Sequence, residues 1–318
     1  MSPHSFLGAG PEFDRIRAIV RTLGDQARGI GDDCALLEIG GTTLAVSIDA
    51  SVEGVHFRTD WISFEEIGWR AAAAALSDLA AEGAAARGVL VSLGGRGKGE
   101  GGRVTALEEI MNGVGAAAES VGANVLGGDL VKSDNYLVDV CVLGVAERPV
   151  TRAGARAGDG VWVTGALGGA GLALTRLTRG EAITADLRAR YAHPVPRIAA
   201  GRWLAAHGAG AMIDISDGLA ADLGHIAAAS EVGIGVMLEK VPVWPGVAPV
   251  DALASGEEFE LALVLPPEFD SDDATRFMRD CGVPLTLIGA CAPGVGVTIL
   301  DRGRKVPAPR GFDHFAAP

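Results

Sequence analysis

Residues 46–57 read Val-Ser-Ile-Asp-Ala-Ser-Val-Glu-Gly-Val-His-Phe, or VSIDASVEGVHF. The approach to it, Leu44-Ala45-Val46-Ser47-Ile48, mixes apolar and β-branched residues and predicts a strand. Asp49 falls where that strand is expected to finish, and Glu53-Gly54 reads as a turn before His56. Ligand sites in open α/β structures lie just beyond strand carboxyl ends, so a carboxylate at this point suits a metal or phosphate site. An isolated Asp also opens plain turns. The weight therefore rests on recurrence.

The arrangement does recur. Gly29-Ile30-Gly31-Asp32-Asp33-Cys34-Ala35 frames two acids with glycines before an apolar strand at Leu36–Ile39. Val125-Leu126-Gly127-Gly128-Asp129 ends a short apolar run in glycines and an acid. Met212-Ile213-Asp214-Ile215-Ser216-Asp217-Gly218-Leu219 predicts a strand ending in two acids, with Ser216 as N-cap of the next helix. Within a predicted helix over 65–81, Trp69, Leu76 and Leu79 share one face. Asp78 points the other way, among Ala71, Ala74, Ala75 and Ala81, which implies close approach by backbone or ligand.

Five of the six acids Asp33, Asp49, Asp78, Asp129, Asp214 and Asp217 thus fall at or near expected strand ends. No Cys/His cluster suits zinc. Carboxylates and carbonyls suit Mg²⁺, which shares its shell with phosphates. Two carboxylates at ~4 Å repel by about 4 kcal/mol at an effective dielectric of ~20, so a cluster needs cations or raised pKa values. Acids, glycine turns and Mg²⁺ together point to a polyphosphate, most simply ATP. No P-loop is present, and the run Gly165–Gly171, which does not fit a dinucleotide fingerprint either, reads as a tight strand-to-helix turn.

The 318 residues suit two domains, with the boundary in the polar stretch 147–158, giving 10–148 and 149–318. A net charge of −13 disfavours nucleic acid and anionic membrane as partners. The four cysteines form no CxxC pair and read as apolar fillers of a cytoplasmic protein. The N-terminus lacks a signal peptide pattern. The uncharged run 281–300 holds Pro284, Pro293 and four glycines, and reads as two strands with a turn rather than a membrane span. Further helices are expected over 12–23, 107–121, 172–177 and 194–206, further strands over 89–93, 136–145, 160–164 and 261–265. Residues 1–9 read as a loose tail and 94–102 as a glycine-rich loop.

The segments GIGDDCALL, SIDASVEGVHF, ALSDLAAEGA, GGDL, TRAGARAGD, IDISDGLAADLGHI, SGEEFEL and the closing GFDHF resemble, in order, the motifs of the thiamine-monophosphate kinase family. That family groups with aminoimidazole ribonucleotide synthetase, selenophosphate synthetase and a hydrogenase maturation factor. The resemblance implies an α/β (α+β) two-domain aminoimidazole ribonucleotide synthetase-like fold. Its N-terminal mixed sheet with helices would bind ATP and Mg²⁺ and form a homodimer, and a C-terminal α/β domain would follow. It implies that Asp33, Ser47, Asp49, Asp78, Asp129, Asp214, Asp217 and the carbonyl of Ile48 hold several Mg²⁺ ions. Gly128, Asp129, Arg152 and Ser216 would contact ATP, and His56, Glu257 and Phe312 the thiamine phosphate. The implied reaction passes the γ-phosphoryl of ATP in line to thiamine monophosphate, giving thiamine diphosphate without a general base.

Three positions depart from the family pattern: Ile48 where Thr is common, Leu130 where a hydroxyl is common, and Glu258 for Asp. The competing readings are another ATP-dependent enzyme of the fold group, or a catalytically silent binder of nucleotide or thiamine phosphate. The reactive early cysteine of selenophosphate synthetase and the C-terminal cysteine of the maturation factor have no counterpart here. The number of acids argues against a silent binder.

Overall fold

The structure, a computed structural model, describes residues 8, 10–96 and 105–315. Most of the expected tail, and the expected loop 94–102 beyond Arg96, lie outside the described residues. The N-terminal half runs α1 (Pro11–Leu23), β1 (Ala35–Ile39), β2 (Thr42–Val52), α2 (Phe64–Ala81), β3 (Ala85–Gly95), α3 (Ala106–Ser120), β4 (Asn124–Lys132) and β5 (Leu137–Ala146). Its strands form one mixed sheet in the order β1-β2-β5-β3-β4, in which only β3 and β4 are parallel.

Side chains alternate across this sheet. Ala45, Val89, Val91, Val138, Val140 and Val142 are buried on one face, under α2 and α3. The two helices interlock because Gly68 and Gly113 carry no side chain. A Cβ on Gly68 would stand 1.8 Å from the Ile110 carbonyl oxygen, and one on Gly113 1.9 Å from that of Glu65. Among the described residues no helix covers the other face. Leu37, Ile39, Ile48, Leu90 and Leu126 stand exposed there, Ile48 at 67% and Leu126 at 60%.

The C-terminal half runs β6 (Gly160–Thr164), α4 (Gly169–Thr178), α5 (Ala185–Ala192), α6 (Ile198–Ala206), β7 (Ala211–Asp214), α7 (Leu219–Ser230), β8 (Gly233–Met237), α8 (Pro249–Ala254), β9 (Leu261–Leu265), α9 (Ser271–Cys281), β10 (Leu285–Ala292), β11 (Gly296–Asp301) and β12 (Arg304–Val306). Its seven strands lie in the order β12-β11-β8-β10-β6-β9-β7. Central β6 and β9 are apolar on both faces, as strands covered on both sides must be. The uncharged run 281–300 became β10 and β11. Among the described residues no helix is long and apolar enough to cross a membrane.

Helix α2 joins the halves. Thirteen of its residues are buried, so its alanine face is no solvated surface. One core spans both halves, from Leu76 and Leu79 to Leu204, Met212 and Leu261. At the crossing with α6, a Cβ on Gly201 would meet the Ala80 carbonyl oxygen at 1.9 Å. The alanine run lets two sheets approach one helix, and the site forms along that seam.

Four local expectations are corrected. β2 does not finish at Asp49 but runs to Val52, because its pairing with β5 is unbroken from Thr43 to Val52. β4 likewise runs through Asp129 to Lys132, alongside β3. α7 starts from Gly218, not from Ser216. Gly218 has φ 112°, a conformation that favours glycine, and its N–H donates to Asp222 Oδ2 at 3.1 Å. α6 begins at Ile198 rather than Pro194, since Pro194 and Pro196 bias the preceding residues away from helix.

Candidate active site

Asp78 emerges from α2 towards β2, where Ser47 donates its hydroxyl to Asp78 Oδ2 at 2.5 Å. Asp214 is the last residue of β7 and is 3% exposed. Asp33 comes from the turn before β1. Carboxylate oxygens of Asp33, Asp78 and Asp214 all lie within 4.8 Å of one another. Three chain segments from both halves thus place hard oxygen donors at one point, a set that fits Mg²⁺.

The electrostatics match a site built for cations. Burial, then the neighbouring Asp214, Asp33 and Asp49, push the Asp78 carboxyl well above its ordinary range. Burial, then Asp33, raises Asp214 to about 8. Asp49, on the helix-covered face of β2, is raised to about 6 by burial and then by Glu257. Asp217 is raised to about 6, by burial first and Glu12 second. Arg152 offsets part of this charge: its Nη2 donates to Asp33 Oδ1 at 2.6 Å, and its backbone N–H donates to Asp32 Oδ1 at 3.0 Å. Cys34 beside this cluster is buried, which pushes its thiol far up and keeps it protonated.

A cavity of about 570 Å³ extends from these acids along α2. Arg70, Ala74 and Asp78 line it at i, i+4, i+8 spacing, one stripe of the helix. Ile48, Asp49, Asp214, Ser216 and Asp217 line the acid end; His56, Glu257 and Phe312 also line the cavity. His56 Nδ1 accepts from the Val52 N–H at 3.0 Å, which leaves the proton of a neutral ring on Nε2. Burial, then His314, lowers its pKa. The His314 ring lies 5.0 Å from that of His56 and 4.8 Å from that of Phe312.

Glu257 reaches the cavity from a strained loop. Glu257 and Phe259 have φ of 56° and 50°, and their N–H groups donate to the carbonyls of Ser216 (2.7 Å) and Ile215 (2.9 Å). Such conformations cost of order 1–3 kcal/mol each and persist where surroundings fix them. Glu258 is one of those anchors. It is 1% exposed and accepts from the N–H groups of Gly168 and Ala170 at the start of α4, from Ser255 and from Arg190 Nη2 (2.7 Å). The longer carboxylate at this position serves the frame and does not line the cavity.

Gly128 and Asp129 stand apart. Asp129 pairs through Ser92 and Asp139 with Ala50, whereas Asp49 pairs with Val140 on the helix-covered face. The side chain of Asp129 therefore leaves the sheet on its open side, away from this chain's own acid cluster. Leu130 beside it is 65% exposed. Sequence reasoning also passed over Arg70 and His314, and of the acid pair Asp32-Asp33 it carried only Asp33 into the site. The spacing of Arg70 from Asp78, eight residues along an alanine face, was the signal available for the first.

Family models described as AIR synthase related protein match residues 31–146 (N-terminal domain) and 156–301 (C-terminal domain). Thiamine-monophosphate kinase of Aquifex aeolicus is 34% identical over 318 residues, 96% of this chain and 98% of its own. That of Escherichia coli K12 is 36% identical over 327 residues, 96% of each chain. A solved structure described as AaThiL complexed with AMPPCP and TMP superposes with TM-score 0.82 at 34% identity, covering 96% of this chain and 97% of that one. The chain belongs to the AIR synthase related family. Its branch of that family is the thiamine-monophosphate kinases, so it is an enzyme of the thiamine-phosphate kinase class.

Proposed function

We propose that this chain phosphorylates thiamine monophosphate to thiamine diphosphate in the cytoplasm, passing the γ-phosphoryl of ATP directly to the substrate phosphate with Mg²⁺ bound at the acid cluster. The observation that carries this reading is one cavity with two chemically distinct sets of groups. Oxygen donors from both halves of the chain meet at one end, and an imidazole, a carboxylate and an aromatic ring line it as well. The relatives' names, and the nucleotide analogue and TMP named for the AaThiL structure, supply the substrates.

Asp33, Asp78 and Asp214, with Ser47, Asp49, Asp217 and the Ile48 carbonyl around them, would hold the metal. Mg²⁺ there supplies neutralisation of the triphosphate charge. Ser47 orients Asp78, and Arg152 fixes Asp33 and, with Ser216, faces the nucleotide. His56, Glu257 and Phe312 orient the acceptor. The acceptor phosphate is already an anion, so no protein base has to remove a proton. Direct in-line attack by that phosphate on the γ-phosphoryl, with ADP leaving, is the proposed route.

The proposed domain limits are 10–148 and 149–318. The uncovered apolar face of the first sheet supports a homodimer through that face. The Asp129 side chain leaves the chain's own sheet on the side away from its cavity, so the nucleotide and metal role proposed for it and the neighbouring Gly128 runs through a second copy. Incubation of the purified protein with ATP, Mg²⁺ and thiamine monophosphate tests the reading. Formation of thiamine diphosphate and ADP in equal amounts is expected; ADP without thiamine diphosphate, or neither, would overturn it.

A further inference from the structure

Arg70 is 4% exposed on the cavity stripe of α2, and Asp49 and Glu257 line the same cavity. Its Nη1 donates to the Tyr191 carbonyl at 2.6 Å, and its guanidinium carbon lies 4.0 Å from the centre of the Tyr191 ring. Its Nη2 forms an ion pair with Glu257, at an angle outside that of a straight hydrogen bond. Tyr191 in turn donates its hydroxyl to the His56 carbonyl at 3.3 Å. One connected set of contacts therefore runs from His56 through Tyr191 and Arg70 to Glu257, crossing three times between the halves of the chain.

Burying a guanidinium is costly unless its donors find partners. Here those partners are the frame at Tyr191 and a carboxylate held on a strained backbone. The reference conformation of Glu257 is thus set from α2, the helix that also carries Asp78. We propose that Arg70 is a positioning residue for the acceptor: with Tyr191 it holds Glu257 and His56 in register with each other, and so determines recognition of the organic cation of the substrate rather than the phosphoryl transfer itself. This rests on the function proposed above.

The test compares wild type, Arg70→Met, Arg70→Lys, Glu257→Gln and the Arg70→Met/Glu257→Gln double variant in steady-state kinetics. Binding of a non-hydrolysable ATP analogue with Mg²⁺ is measured in parallel as a check on folding. Arg70→Met is expected to raise KM for thiamine monophosphate by about tenfold or more with kcat and analogue binding little changed. Arg70→Lys should recover part of the loss, because it keeps the charge but not the planar fork. The double variant should be no worse than the poorer single variant, since both act through one contact. Multiplicative losses in the double variant would overturn the proposal. So would a fall in kcat with KM for the acceptor unchanged, or loss of analogue binding in both Arg70 variants. Absence of thiamine diphosphate formation by wild type would instead remove the parent reading, and this inference with it.

Discussion

Ser47 and Asp78 meet at 2.5 Å across the β2–α2 interface, so the hydroxyl of the sheet fixes the carboxylate of the helix. Asp78 is thereby aimed at Asp33 and Asp214 rather than left to rotate. Asp78→Asn keeps the shape and removes one negative ligand. Turnover is expected to fall by about a hundredfold or more, a loss typical of removing preorganised electrostatics from an active site. Steady-state kcat at saturating Mg²⁺ checks this, and a near-normal value would exclude a metal role for Asp78.

The raised pKa values fix a pH dependence of stability. Carboxyls ionise near 4 in an unfolded chain, while Asp49 and Asp32 are raised to about 6 and Asp214 to about 8. For Asp32 the cause is burial, then Asp33. Between those limits the folded metal-free protein binds more protons than the unfolded chain, so its stability falls as pH rises through the window. A cation that binds the ionised cluster reverses the loss. Thermal unfolding with and without Mg²⁺ is expected to show a larger rise in Tm at pH 8.5 than at pH 6. Equal shifts at both values would contradict the account.

Glu258 satisfies two N–H groups at the start of α4 and pairs with the largely buried Arg190. Glu258→Ala leaves those donors and part of the guanidinium charge without a partner. A loss of about 3–5 kcal/mol is expected, as for breaking one side of a buried pair. Denaturant unfolding measures it. A change below about 1 kcal/mol would fall in the range of exposed pairs and refute the anchoring role.

The open face of the first sheet predicts association. Ile48→Asp or Leu126→Arg places a charge on that face without touching the buried one. Sedimentation equilibrium is expected to show a dimer for the parent chain and a shift towards monomer for either variant. Monomeric parent protein would remove the homodimer, and with it the proposed route for Asp129.

Much of the fold was legible because its helices and strands carry strong local patterns. The alanine-rich α2, the apolar β6 and β9 and the turn glycines are set by propensity and periodicity. What the sequence concealed was where strands stop and which face a residue takes. Asp49 and Asp129 both looked like strand ends, since acids and glycines weaken strand propensity, yet continuous pairing with β5 and β3 carried each strand past them. One-dimensional reading also could not separate Asp129 from Asp49, because the face follows from the register with neighbouring strands. Arg70 escaped notice although it lies eight residues from Asp78 on the same helix stripe, because its partners, Tyr191 and Glu257, come from the distant second half of the chain.

The most direct test is a rapid-quench single turnover with γ-labelled ATP, Mg²⁺ and thiamine monophosphate over excess enzyme. Label is expected to pass from ATP to thiamine diphosphate with no labelled protein at any time, and Asp78→Asn is expected to slow that transfer by about a hundredfold or more. A labelled protein species that forms from ATP alone and then phosphorylates thiamine monophosphate would contradict direct transfer at the acid cluster.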